Sequence, residues 1–172
     1  MQYGICVCGL NGSGKTTMGA ALAKELNFKH MDIENYYFTQ SDNPYASART
    51  RDEVEVLLLE DIKQNPCFVF SAVNGNMNSE INSCYDLVVY LEVPLELRMK
   101  RIRQRAYEKF GDRVLPGGDM YEQEEKFFAF AKKRTPEKIE EWLKTLTCRV
   151  IRLDGTKAVE YNVQTLIDRI NI

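Results

Sequence analysis

Two rhythms of apolar residues alternate along the chain. Short runs that are apolar at nearly every position recur at Tyr3–Cys8, Cys67–Val73 and Asp86–Glu92, the last bounded by acids. Uninterrupted runs of this length are what strands buried on both faces require. Shorter stretches at Asn27–Asp32 and Arg149–Leu153 fit two more strands. Between them the apolar positions are spaced for helices: Thr17–Leu26, Arg49–Gln64 ended by Asn65-Pro66, Leu95–Phe110, Met120–Arg134, a helix opened by Pro136 and ending near Leu146, and Val159–Ile170. Ser41–Ser47 reads as a turn-rich segment, and Asn74–Ser83 as a polar loop with a short helix. Strands alternating with helices predict right-handed βαβ units in a doubly wound parallel sheet. No repeat or linker divides the 172 residues, so a single domain is expected.

The first strand runs into Gly9-Leu10-Asn11-Gly12-Ser13-Gly14-Lys15-Thr16, and a helix follows. This matches the phosphate-binding pattern G-x-x-x-x-G-K-[ST] at every fixed position, in the strand-to-helix context where such a loop works. Its glycines let backbone N–H groups turn inward around a polyanion, and the new helix points its positive end at the same place. Lys15 then reaches the β- and γ-phosphates, and the Thr16 hydroxyl is a candidate ligand for Mg²⁺. Asn11, Gly12, Ser13, Gly14, Lys15, Thr16 and Thr17 are the candidate nucleotide-binding residues of this stretch.

Composition adds limits. With 44% hydrophobic and 28% charged residues, the chain is ordinary for a globular protein. A formal charge of −2 disfavours nucleic acid or an anionic membrane as a partner. No apolar run reaches membrane-span length and no basic leader precedes the first strand, so a cytoplasmic protein is expected. Five cysteines without paired C-x-x-C clusters suit neither a disulfide framework nor a zinc site, and read as small buried hydrophobes. His30 is the single histidine and Trp142 the single tryptophan; both read as structural.

Phosphoryl transfer needs cations on the moving phosphate, a metal ligand and a group that orients the acceptor. Asp32 and Glu34 stand at and just past the end of the second strand, where open α/β sheets bind ligands. Asp32 could orient an acceptor hydroxyl or hold Mg²⁺, or it could simply cap a turn or helix. In Arg98-Met99-Lys100-Arg101-Ile102-Arg103-Gln104-Arg105 five of eight positions are cationic, and Arg101 and Arg105 share a helix face with Arg98 one turn earlier. A solvated face paired with local acids is the alternative. Arg113 sits in a segment with three glycines and a proline, either above a phosphate site or as an exposed loop cation. Asp154-Gly155-Thr156-Lys157 follows the last strand and faces the same crevice, with Thr156 a candidate helix cap.

Taken together, the phosphate loop, the strand ending in Asp32, the Leu97-x-x-x-Arg101-x-x-x-Arg105 helix, the glycine-rich flap and Arg152-Leu153-Asp154-Gly155-Thr156 resemble the small P-loop kinases, among them nucleoside-monophosphate, shikimate and gluconate kinases. The resemblance covers nearly the whole chain. It implies a three-layer α/β fold of the P-loop NTPase type, with five parallel strands and a helical lid at about residues 107–121 carrying Arg113. It implies ATP and Mg²⁺, with Lys15, Asp32, Arg105 and Arg113 as catalytic residues and Thr16 and Asp32 serving the metal. Arg101, Asp154, Gly155 and Thr156 would border the nucleotide. Asp32, Glu34, Arg49 and Arg51 would meet the acceptor, both arginines lying on the substrate-side helix. The third strand ends in Ser71-Ala72-Val73-Asn74-Gly75, without the Asp-Gly of adenylate kinases or the triple glycine of shikimate kinases. The expectation is therefore an ATP-dependent kinase of a small-molecule acceptor. A nucleoside or nucleoside-monophosphate kinase is the alternative, and a slow nucleotide-hydrolysing regulator or a kinase of nucleic-acid ends are readings of other classes. The sequence leaves the acceptor and the oligomeric state open.

Overall fold

A computed structural model describes residues 2–38 and 48–170; the expected turn at Ser41–Ser47 lies outside these. Five strands, β1 (Tyr3–Cys8), β2 (Lys29–Asp32), β3 (Cys67–Ala72), β4 (Leu87–Glu92) and β5 (Arg149–Asp154), form one sheet in the order β2-β3-β1-β4-β5. Every pairing is parallel. The register aligns Asp32 with Ser71, Cys8 with Ala72 and Tyr90, and Glu92 with Asp154, so the carboxyl ends share one rim.

Side chains alternate across the sheet, and both faces are covered, which is why the strands read as unbroken apolar runs. Ile5, Val7, Val69, Val89 and Ile151 pack with α1 (Lys15–Leu26) and α8 (Val159–Ile167). Cys6, Cys8, Phe68, Phe70 and Val88 pack on the other side with α3 (Arg51–Gln64), α4 (Ser79–Asn82) and α7 (Glu137–Leu143). Cys6 and Cys8 are wholly buried; burial pushes the Cys8 thiol up to about 12, as suits an inert core residue. No helix among the described residues is long and apolar enough to cross a membrane.

Several boundaries differ from the sequence expectation for identifiable reasons. Asn27 takes a left-handed conformation at the end of α1 (φ 55°), so β2 starts at Lys29. Thr50 caps α3 in a reciprocal capping box with Glu53, which leaves Arg49 outside the helix that was expected to carry it. Thr156 is not a helix cap: Ala158 holds that position on α8. The closing helix ends at Ile167, three residues early.

The lid segment has its own small core. α5 (Leu95–Phe110) ends in a 3₁₀ turn, Gly111–Val114, before α6 (Tyr121–Lys133). Ile102, Ala106, Val114, Phe128 and Ala131 pack together apart from the sheet core. Gly111 and Gly117 hold φ values of 59° and 91°, in the left-handed region that favours glycine.

Below the carboxyl rim, the loop after β3 is fixed by the hydroxyl of Tyr85, which donates to the Gly75 carbonyl at 3.0 Å. A methyl group on Gly75 would run into Cys6 Sγ and the Trp142 ring. Gly75→Ala is expected to lower the unfolding free energy by about 1–3 kcal/mol through overpacking. A urea titration reads this as a lower midpoint with an unchanged slope.

Candidate active site

The phosphate loop leaves the central strand β1 and turns tightly. Gly12 and Gly14 have φ values of 82° and 91°. A side chain on Gly12 would also strike the backbone of Arg98 on α5. Gly14 caps α1 without a side-chain hydrogen bond, and the first turn of the helix holds no acid. Its leading N–H groups are therefore left for an anion.

Outside the loop, cations take its carbonyls. Arg98 Nη1 donates to the Asn11 carbonyl at 3.2 Å, and Arg101 Nη1 to that of Ser13 at 3.3 Å. Arg101 Nη2 reaches the Gly155 carbonyl at 3.0 Å, so one guanidinium spans the loop and the turn after β5. The cationic row thus divides. Arg98 and Arg101 meet backbone oxygens, Arg103 pairs with Glu125 at 2.6 Å, and Arg105 lines the site. From within the sheet, Ser71 Oγ donates to the Lys15 carbonyl at 3.2 Å and lies 3.0 Å from His30 Nε2. Burial lowers the His30 pKa, and its role here is to hold Ser71.

Two cavities meet at this loop. The first, about 350 Å³, is lined by Lys15, Thr16, Thr17, Arg101, Arg105 and Gly155, together with Lys157 and Asn162. The second, about 830 Å³, is lined by Asn11, Glu34, Arg51, Asn74, Arg134 and Lys138 and by the aromatic side chains of Tyr37, Phe38, Phe130 and Trp142. Lys15 lines the first. Burial lowers its pKa, opposed by the charges of Glu34 and Asp32 and reinforced by those of Arg105 and Arg134.

Among the expected site residues, the loop, Arg101, Arg105 and Gly155 come together around the first cavity. Asp32 is buried and accepts a hydrogen bond from the Glu34 N–H at 3.0 Å, capping α2 (Ile33–Tyr37). Glu34, two residues on, lines the second cavity, as does Glu141. Arg51 lines that cavity too, though its guanidinium is engaged by Glu55 and the Asn76 carbonyl, each at 2.9 Å. Arg49 instead donates to the Tyr36 carbonyl and faces a shallow groove beside Asp52 and Val56. Arg113 is exposed and held in a two-pronged pair with Asp119 at 2.9 and 2.8 Å, lining neither cavity. Asp154 Oδ1 accepts from the N–H and hydroxyl of Thr156, forming a turn that presents Gly155 and Lys157, but neither Asp154 nor Thr156, to the first cavity.

Arg134, Lys138 and Asn162 are among the cavity-lining polar residues missed in the sequence. Arg134 follows α6 and donates to Asn11 Oδ1 at 3.2 Å, with its guanidinium 4.8 Å from the Phe130 ring centre. Burial lowers its pKa, and no carboxylate among the described residues pairs with it. The available signal for Arg134 was a cation closing the lid helix just before Thr135-Pro136.

Residues 5–127 match the family model described as an AAA domain. The chain belongs to the AAA-domain family. This AAA-domain chain is 31% identical over 176 residues to the uncharacterized protein YqaC of Bacillus subtilis (strain 168), covering 98% of this chain and 97% of that one. It is 27% identical over 110 residues to a shikimate kinase of Enterococcus faecalis, covering 58% of this chain and 65% of that protein. In structure it resembles deoxyadenosine kinase from M. mycoides with bound dATP, with a TM-score of 0.59, 16% sequence identity and all of both chains covered. The fold of this AAA domain is that of the small P-loop kinases.

An AAA-domain cation buried before its anion arrives costs stability in the empty protein. A lysine whose pKa is lowered on folding is penalised below its folded pKa, and the penalty fades as pH rises through that value. Lys15→Met is therefore expected to raise the melting temperature of the nucleotide-free protein at pH 7. Each kcal/mol relieved corresponds to about 2–4 °C in a chain of this length. Differential scanning calorimetry of both proteins without ligand checks the sign, and the gap narrows in alkaline buffer.

Proposed function

We propose that the protein is a kinase that transfers the γ-phosphoryl group of ATP to a hydroxyl of a small anionic metabolite. One observation carries this reading: the buried Lys15 lines a cavity walled by the phosphate loop and arginines, while Glu34 and Arg134, which wall the second cavity with Lys138, are near enough for their charges to act on it. A donor site with an acceptor site beside it is what phosphoryl transfer requires. The shikimate kinase and deoxyadenosine kinase likenesses support the same reaction class.

The residues fit a magnesium ion. Thr16 is exposed in the first turn of α1 and lines the donor cavity, while Asp32 is close enough to act on Lys15. Mg²⁺ keeps several waters and takes few protein ligands, so Thr16 directly and Asp32 through water suffice. When bound, the ion offsets charge on the β- and γ-phosphate oxygens.

In the transfer, the acceptor hydroxyl oxygen bonds to the γ-phosphorus as the bond from that phosphorus to the β–γ bridging oxygen breaks, releasing ADP. The hydroxyl proton passes to a carboxylate, for which Glu34 is on the cavity wall and Asp32 behind it. Lys15 and Arg105 stabilise charge on the moving group. Arg134 and Lys138 hold the acceptor's anionic group, a role better suited to Arg134 than to Arg51, whose donors are engaged. The lid at about residues 107–121 closes over the donor, and Arg113 reaches the phosphates only after leaving Asp119. A nucleoside-type acceptor is the second reading, favoured by the four aromatic side chains of the second cavity.

Screening a metabolite library for thermal stabilisation, with Mg²⁺ and a non-hydrolysable ATP analogue present, identifies the acceptor by mass action. With that acceptor, Lys15→Ala is expected to lower kcat by at least about 100-fold, as loss of one charge-stabilising donor does. Substantial residual turnover would overturn the assignment. Arg134→Ala is expected to raise the acceptor KM while leaving the affinity for ADP unchanged, measured by initial rates and by calorimetric titration.

A further inference from the structure

We infer that a third cavity, between α2 and the lid helices, binds a protonated amine, so that the acceptor carries an ammonium group besides its anionic one. This deepens the acceptor reading above and rests on it. The cavity, about 530 Å³, is bounded by Glu34 and Phe38 on one side and by Arg105, Phe110, Glu124 and Phe127 of α5 and α6 on the other. Glu124 is the buried charge there, only 8% exposed. Carboxylates are almost never buried so far without a partner. Other acids on the same two helices have theirs: Glu125 pairs with Arg103 at 2.6 Å, and Glu108 accepts from Gln104 at 2.8 Å. Among the described residues the Glu124 carboxylate takes no hydrogen bond and no ion pair. Its oxygens are not sealed off either, since the buried side-chain polar atoms without a partner belong to Ser13, Arg98 and Trp142. The carboxylate therefore keeps its access through the cavity it lines.

The cations that share the cavity do not supply the missing partner. Lys109 is exposed, with its ammonium 4.9 Å from the centre of the Phe110 ring. Arg105 is exposed too and also lines the donor cavity, where the phosphates take up its charge. Glu34 and Glu124 are then left with one solvated lysine, and the excess of negative charge suits a cation. A metal ion needs a denser set of oxygens, and no group of three metal-binding side chains occurs among the described residues. An organic ammonium needs fewer. Its N–H groups donate to a carboxylate in charge-assisted hydrogen bonds, and the aromatic wall of Phe38, Phe110 and Phe127 attracts it where it meets a ring face. Glu34 and Phe38 line both this cavity and the second, so the two adjoin. One acceptor spans them with its anionic group at Arg134 and Lys138, its hydroxyl at Glu34 and its ammonium at Glu124.

NMR titration of the protein with benzylammonium and with benzyl alcohol, its neutral counterpart, tests the site. The amine is expected to bind about tenfold or more tightly, as a charge-assisted hydrogen bond to a buried carboxylate provides. In Glu124→Gln the two ligands converge, while ADP, titrated separately, binds as it does to the unaltered protein. Equal affinities in the unaltered protein, no saturation by benzylammonium, or a preference that persists in Glu124→Gln overturn the inference. Should Glu124→Gln not fold, the ¹³C resonance of the Glu124 carboxylate in the unaltered protein decides. A shift with benzylammonium that benzyl alcohol does not produce supports the assignment, and the same shift with both, or none with either, overturns it. Failure of ADP to bind overturns the kinase reading instead, while the amine result still tests the cavity. For the acceptor found by the metabolite screen, acetylation of its basic nitrogen is expected to raise KM about tenfold in the unaltered protein and to leave it unchanged in Glu124→Gln. An acceptor without a basic nitrogen overturns the inference.

Discussion

The ammonium of Lys15 is taken out of water by folding, while the oxygens that would compensate it belong to a ligand. Everything near it follows from that constraint. The loop must turn its N–H groups inward without side chains in the way, so Gly12 and Gly14 carry positive φ. The carbonyls so displaced outward need donors, and Arg98 and Arg101 supply them. The base of the loop must not give way under this uncompensated charge, and Ser71, held by His30, pins the Lys15 carbonyl to the sheet. Glu34 and Asp32 temper the charge without cancelling it, which keeps an anion-seeking site open.

The fold was legible because its signals are local or follow from burial. Strands covered on both faces must be apolar throughout, and a phosphate loop is written in eight consecutive residues. Boundaries slipped where backbone chemistry overrides periodicity. The Thr50–Glu53 capping box starts α3 after Arg49, and the left-handed Asn27 delays β2.

Much of the candidate site was less legible, for a different reason. Arg134 follows the lid helix yet bonds to Asn11, and Asn162 lies on the last helix yet opens onto the first loop's cavity; both are more than 120 positions from the loop in at least one partner. No local pattern encodes such convergence. Asp32 and Glu34 illustrate the finer limit. Their neighbourhood was readable, but which carboxylate caps the helix and which faces the cavity is decided by one hydrogen bond. Likewise Arg49 and Arg51 are two residues apart, and only the helix start separates their surroundings.

Arg101 has a mechanical consequence. Because its two terminal nitrogens bind carbonyls on the phosphate loop and on the Gly155 turn, those walls are joined by a rigid planar strut. The loop end and the Gly155 end of the cavity thus form one cooperative unit. Whatever loosens one wall loosens the other, so a ligand spanning the cavity is gripped, and let go, at both ends together.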